Sequence, residues 1–180
     1  LYKKARDILR VLPGANQADL AVVLNNLAHH VCLLGRFAEA ESLYRQSLEI
    51  SRKMLGEQHP QVARTLNNLG SLHEAMGRYA EAEPLYQQAL ELFTASSGKG
   101  TPDVAAAMNN LAGLFKTMGD YPKADRYYRQ ANDIWRTSLG ESHPLVASGW
   151  SNLADLHYQM GELAAAEQLY ERALTLERSS

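Results

Sequence analysis

Apolar residues recur at three- and four-residue spacing through most of the chain. Val62, Leu66, Leu69, Leu72, His73 and Met76 mark one buried face of an amphipathic helix. Gly77 follows, where a left-handed backbone conformation stops the helix. Tyr79, Ala82, Tyr86, Ala89, Leu90 and Phe93 draw the stripe of a second helix. Ala82 and Ala89 are small, as residues must be where two helices cross closely, and Tyr86 fills the space between neighbours. Gly98 closes this helix. The predicted unit is a helix, a short turn, a longer helix and a loop. Its period is helical, not the alternation of a half-buried strand.

The unit returns at a fixed interval. Asn67-Asn68 reappears as Asn25-Asn26, as Asn109-Asn110 and, more loosely, as Ser151-Asn152. The second asparagine falls at 26, 68, 110 and 152, always 42 residues apart. Gly35, Gly77, Gly119 and Gly161 keep the same register, as do Tyr44, Tyr86, Tyr128 and Tyr170. A period of this length means stacked copies of one small unit. The expected fold class is all-α, with repeats over 13–58, 59–100, 101–142 and 143–180 in one continuous domain. Tyr2, Ala5 and Ile8 stand 42 residues before Tyr44, Ser47 and Ile50. Residues 1–12 therefore read as the second helix of a truncated repeat, in a piece of a longer protein, and nine helices are expected with it.

Local signals sharpen the repeat starts. His59-Pro60, Thr101-Pro102 and His143-Pro144 place Pro at the first helical position, where its missing N–H is no loss. Thr101 is expected to act as an N-cap, and His59 and His143 to cap or pack. Pro84 should bend the first turn of its helix slightly. The Ser96-Ser97-Gly98-Lys99-Gly100 loop should be the most mobile point of the array, yet it is too short for a domain linker.

The order Leu69-Gly70, His73, Gly77, Tyr79, Ala82, Tyr86, Ala89 resembles the tetratricopeptide repeat signature, lengthened in the second helix and its loop. The fuller strings, His59-Pro60 through Leu69-Gly70 and Gly77 through Leu90, resemble the kinesin light chain subfamily of these repeats. The resemblance covers nearly the whole chain. It implies a right-handed superhelical solenoid of stacked antiparallel helix pairs (TPR). It also implies that the first helices line a concave groove holding an extended peptide from a partner.

Helical geometry says which first-helix positions escape the core. In the second repeat these are Arg64, Asn67, Ser71 and Glu74, three and four residues apart on one face. Their equivalents are Val22, Asn25, His29 and Cys32; then Ala106, Asn109, Gly113 and Lys116; then Ser148, Ser151, Asp155 and Tyr158. Asn25, Asn67 and Asn109 would form a row of amides that both donate and accept, suited to an extended backbone. The candidate peptide-binding residues are Asn25, His29, Arg64, Asn67, Ser71, Asn109, Lys116, Ser151 and Asp155. Asn26, Asn68, Asn110 and Asn152 are expected to bond to neighbouring helices instead.

Charge and composition narrow the function. The net charge is −2, with Lys and Arg scattered among Asp and Glu, which argues against a nucleic-acid surface. Lys3, Lys4, Arg6 and Arg10 read as the solvated face of the helix expected over 1–12. No apolar run approaches a membrane span, and no signal peptide is visible. Cys32 is the sole cysteine, so no internal disulfide can form. A reducing, cytoplasmic location is expected. The six histidines form no metal site: His73 and His157 share a core-facing position two repeats apart, and adjacent His29 and His30 splay on a helix. Cys32 has no base beside it in the pattern and reads as a small packed hydrophobe.

There is no nucleophile elbow, no phosphate-cradling glycine loop and no second His for His73-Glu74. No catalysis, cofactor or metal is expected. The sequence points to a protein–protein interaction scaffold that binds a peptide segment of a partner. A spacer, sensor or oligomerisation arm of a larger signalling protein is the alternative, and a substrate-presenting array beside an enzyme a weaker one. Leu1 and Tyr2 have lost a preceding helix, so end-to-end self-association is a further expectation.

Overall fold

The computed structural model describes residues 17–179; the helix expected over 1–12 lies outside them. The described residues hold eight α-helices and no strand. The chain divides between Ser96 and Ser97 into two compact units, within the Ser/Gly stretch read above as a loop inside one continuous domain.

The first unit holds α1 (Gln17–Leu33), α2 (Phe37–Leu55), α3 (Pro60–Ala75) and α4 (Tyr79–Ser97). Leu24, Leu27, Ala28 and Val31 of α1 pack on Ala40, Leu43 and Tyr44 of α2, and Leu69 and Leu72 of α3 complete the cluster. The α1–α2 turn closes at Gly35, whose φ is +74°, with the Arg36 N–H on the Val31 carbonyl at 3.1 Å. A side chain resists that conformation, which is why glycine ends these helices. Ser47 is fully buried in α2 and donates to the Ala21 carbonyl of α1 at 2.7 Å.

A second glycine acts through space rather than through φ. A Cβ on Gly70 would lie 2.8 Å from the Tyr86 ring. The bare backbone of α3 thus seats the tyrosine of α4, which is 1% exposed. The assigned helix α4 continues through Pro84.

The second unit holds α5 (Pro102–Thr117), α6 (Tyr121–Leu139), α7 (Pro144–Gln159) and α8 (Leu163–Ser179). Ala105, Ala131, Trp135 and Val146 form a core cluster, with Met108, Trp150 and Leu176 against it. Gly149 of α7 repeats the close approach: a Cβ there would run into the Asn132 side-chain amide.

The helix starts use their caps in different ways. The Nδ1 of His59 accepts from the Gln61 N–H at 3.1 Å, and that of His143 from the Leu145 N–H at 3.2 Å. Thr101 differs from expectation. Its backbone has the extended N-cap geometry, but its hydroxyl makes no cap bond and donates back to the Gly98 carbonyl at 3.4 Å. The loop carbonyl competes for the hydroxyl, as local side-chain-to-backbone bonds do.

Candidate functional site

In the first unit, α1 and α3 present the predicted polar face. Arg64 and Ser71 are exposed on α3, with half-buried Asn67 between them; His29 is exposed on α1. Arg64 Nη1 donates to Gln61 Oε1 at 3.3 Å.

Asn25 departs from expectation. It is 3% exposed, because the Nδ2 of Asn68 on α3 closes over it and donates to its Oδ1 at 3.1 Å. Its own Nδ2 turns to Asn26 Oδ1 at 3.5 Å. A buried amide of this kind joins helices and is not offered to a ligand.

The second unit repeats the device. Asn152 Nδ2 on α7 donates to Asn109 Oδ1 on α5 at 2.8 Å. Asn109 and Lys116 of α5 and Ser151 and Asp155 of α7 are half-buried, while Tyr158 on α7 is 63% exposed. The neighbour-bonding role expected of the second asparagine is thus present at Asn68 and Asn152. Its partner is the first asparagine of the preceding repeat, so in Asn25 and Asn109 the two rows interlock.

Sequence reasoning missed what the tyrosines do on this face. Tyr86 donates its hydroxyl to Glu74 Oε2 at 2.8 Å, and Tyr170 donates to Asp155 Oδ1. A tyrosine ring that fills the repeat core still needs a partner for its polar tip. Glu74 and Asp155 stand at different positions of the repeat, so the recurrence of Tyr alone gave no signal for these bonds. Burial, then the Glu74 carboxylate, pushes the Tyr86 phenol far above its ordinary value. For Tyr170 the Asp155 bond is the main cause of a rise. Burial pushes the Cys32 thiol up, away from the reactive thiolate.

The core-facing histidines sit among carboxylates. His157 Nδ1 lies 2.6 Å from Glu162, and its Nε2 lies 3.2 Å from Asp125, which Arg129 Nε also meets at 2.7 Å. His73 lies between Glu81 at 3.3 Å and Glu41 at 3.9 Å. The shorter contact, at His73 Nδ1, does not have the geometry of a hydrogen bond. Among the described residues no group of three or more His, Cys, Asp or Glu side chains is placed to hold a metal ion, and no helix is long and apolar enough to cross a membrane.

Stacked helix hairpins with a polar first-helix face define the class: a helical-repeat interaction scaffold. The chain belongs to the tetratricopeptide repeat family, whose model matches residues 1–53, 19–95 and 103–179, with a second repeat model over 67–138. BtubC (BKLC) from P. vanneervenii is 26% identical over 99% of this chain and 71% of that one, with a TM-score of 0.85. The kinesin light chain nearly identical TPR-like repeats of Podosopora anserina are 21% identical over 99% of this chain and 88% of that one, with a TM-score of 0.73. The likeness to the Podosopora anserina repeats is one of fold. No curated protein matches the chain.

Proposed function

We propose that the first-helix face of each unit holds an extended segment of a partner protein. The observation that carries this reading is the recurrent polar face itself. Arg64, Asn67 and Ser71 in the first unit, and Lys116, Ser151 and Asp155 in the second, retain exposure on helices braced from behind by the Asn68–Asn25 and Asn152–Asn109 bonds. Backbone bonds from the segment would each contribute about 0.5–1.5 kcal/mol net, so a few of them imply affinity on the order of micromolar. Acidic residues of the segment would lie near Arg64 and Lys116. Asn25 serves as a brace in this reading, and His29 as the exposed contact of α1. The face binds and does no chemistry.

The test is a dodecapeptide array probed with the whole chain. Changing Arg64 and Asn67 together to Ala should weaken the peptides found at least about tenfold while leaving the helical signal intact. Affinity untouched by that double change, but lost on altering the outer face of the second helices, would defeat the proposal.

A second reading, end-to-end association, rests on a different observation. Tyr170 is 36% exposed, whereas its equivalents Tyr44, Tyr86 and Tyr128 are 1–3% exposed. Leu163 and Leu174 stand beside it at 61% and 51%. A second copy would bury this face of α8. Sedimentation that shows a monomer at all concentrations would remove this reading.

A further inference from the structure

Lys116 on α5 and Asp155 on α7 belong to adjacent first helices, tied by the Asn152–Asn109 bond. Neither takes part in an ion pair among the described residues. Most charges on α6 are paired: Arg129 with Asp125, Arg136 with Glu141, Lys123 with Asp120. The first-helix face of this unit therefore carries Lys116 and Asp155, with Asp103 in the first turn of α5, outside any ion pair among the described residues.

Asp155 is better prepared than Lys116. Tyr170 of α8 donates to Asp155 Oδ1, which fixes the carboxylate, and no hydrogen bond or ion pair occupies Oδ2 among the described residues. Tyr158 lies three residues on, on the same side of α7, and is 63% exposed. The equivalent positions in the other repeats are Cys32, Glu74 and Lys116, so the aromatic belongs to this repeat alone. An oriented carboxylate beside an exposed aromatic ring matches a cationic side chain on two counts. The carboxylate accepts a charge-assisted bond, and the ring face attracts the same cation.

We infer that Asp155 and Tyr158 form a subsite for an arginine or lysine side chain of the bound segment, with Tyr170 positioning the carboxylate. This rests on the groove reading above and adds polarity to it. An acidic residue of the segment lies toward Lys116 and a basic one toward Asp155, so the two charges choose register as well as partner.

The test uses the whole isotope-labelled chain and two small probes, N-acetyl-arginine amide and its uncharged analogue N-acetyl-citrulline amide. Backbone amide shifts are followed by nuclear magnetic resonance. The arginine probe should give saturable shifts centred on Asp155 and Tyr158, with the citrulline probe at least about threefold weaker. Asp155→Asn retains an oxygen for Tyr170 and should keep the melting profile but lose the difference between probes. Tyr158→Phe should bind as the parent does, and Tyr158→Ala more weakly.

Equal shifts with both probes, no saturable shift, or an Asp155→Asn titration like the parent's would each overturn the inference. Array peptides that lose binding with Lys116→Glu but not with Asp155→Asn would leave the groove standing and this subsite refuted. Arginine-selective shifts at Asp155 in a chain that binds no array peptide would support the subsite and refute the groove.

Discussion

The side-chain amide of Asn68 donates to the side-chain Oδ1 of Asn25 across 3.1 Å, joining two helices through residues 43 positions apart in sequence. Asn152 and Asn109 do the same at 2.8 Å. Removing the acceptor strands a half-buried donor. Asn25→Ala should therefore cost about 1–3 kcal/mol, more than the bond's own net value. Chemical denaturation of Asn25→Ala, Asn68→Ala and the double change checks this. The double should cost less than the two singles added together, and simple additivity would show that the bond is not felt.

This pair also marks where sequence reading stopped. The helices, their turns and the repeat were legible because the apolar stripe, Gly35 and its equivalents, and the Pro starts are each set by a few adjacent residues. Which asparagine of a pair turns inward was not. Helical spacing puts Asn25 at the margin of the buried stripe, and only the approach of α3 decides that Asn68 covers it. The Tyr86–Glu74 and Tyr170–Asp155 bonds escaped for the same reason, since each needs the crossing of two helices. Thr101 looked like a cap, and a loop carbonyl took its hydroxyl.

Asn132 is 1% exposed, and neither its Oδ1 nor its Nδ2 has a hydrogen-bond partner among the described residues. Leu48, Leu90 and Leu174 stand at the equivalent positions. An orphaned buried amide costs stability that an apolar side chain of similar shape avoids. Asn132→Leu should raise stability by about 1–2 kcal/mol. Gly149→Ala pushes a Cβ onto the same amide and should lower it by about 1–3 kcal/mol. Thermal melts of both variants check the pair of signs. A destabilised Asn132→Leu would mean that the amide has a partner after all.

Tyr86 should be the more costly residue to truncate. Tyr86→Ala removes a buried ring and should cost about 3–5 kcal/mol, with Asn67→Ala far less. Alkali supplies a second reading of the same residue. Its folded-state value is raised above the ordinary 10.0, by burial first. The stabilisation is complete below that ordinary value and is lost as pH rises above it, because the unfolded chain ionises while the folded one does not. Tyr44 is raised likewise, chiefly by burial. Urea midpoints should fall from about pH 9 to about pH 11, and less steeply in Tyr86→Phe. Identical slopes would remove Tyr86 from the alkaline transition.

The central claim is that a partner segment lies on the first helices. Its most direct test is amide-shift mapping of the labelled chain with the tightest dodecapeptide from the array. The account predicts saturable shifts on α1, α3, α5 and α7, around His29, Arg64, Ser71, Lys116 and Ser151, with little change along the outer faces of α2, α4, α6 and α8. Shifts concentrated on Arg45, Glu49, Gln87 and Arg129 of the second helices, with the first helices silent, would contradict it.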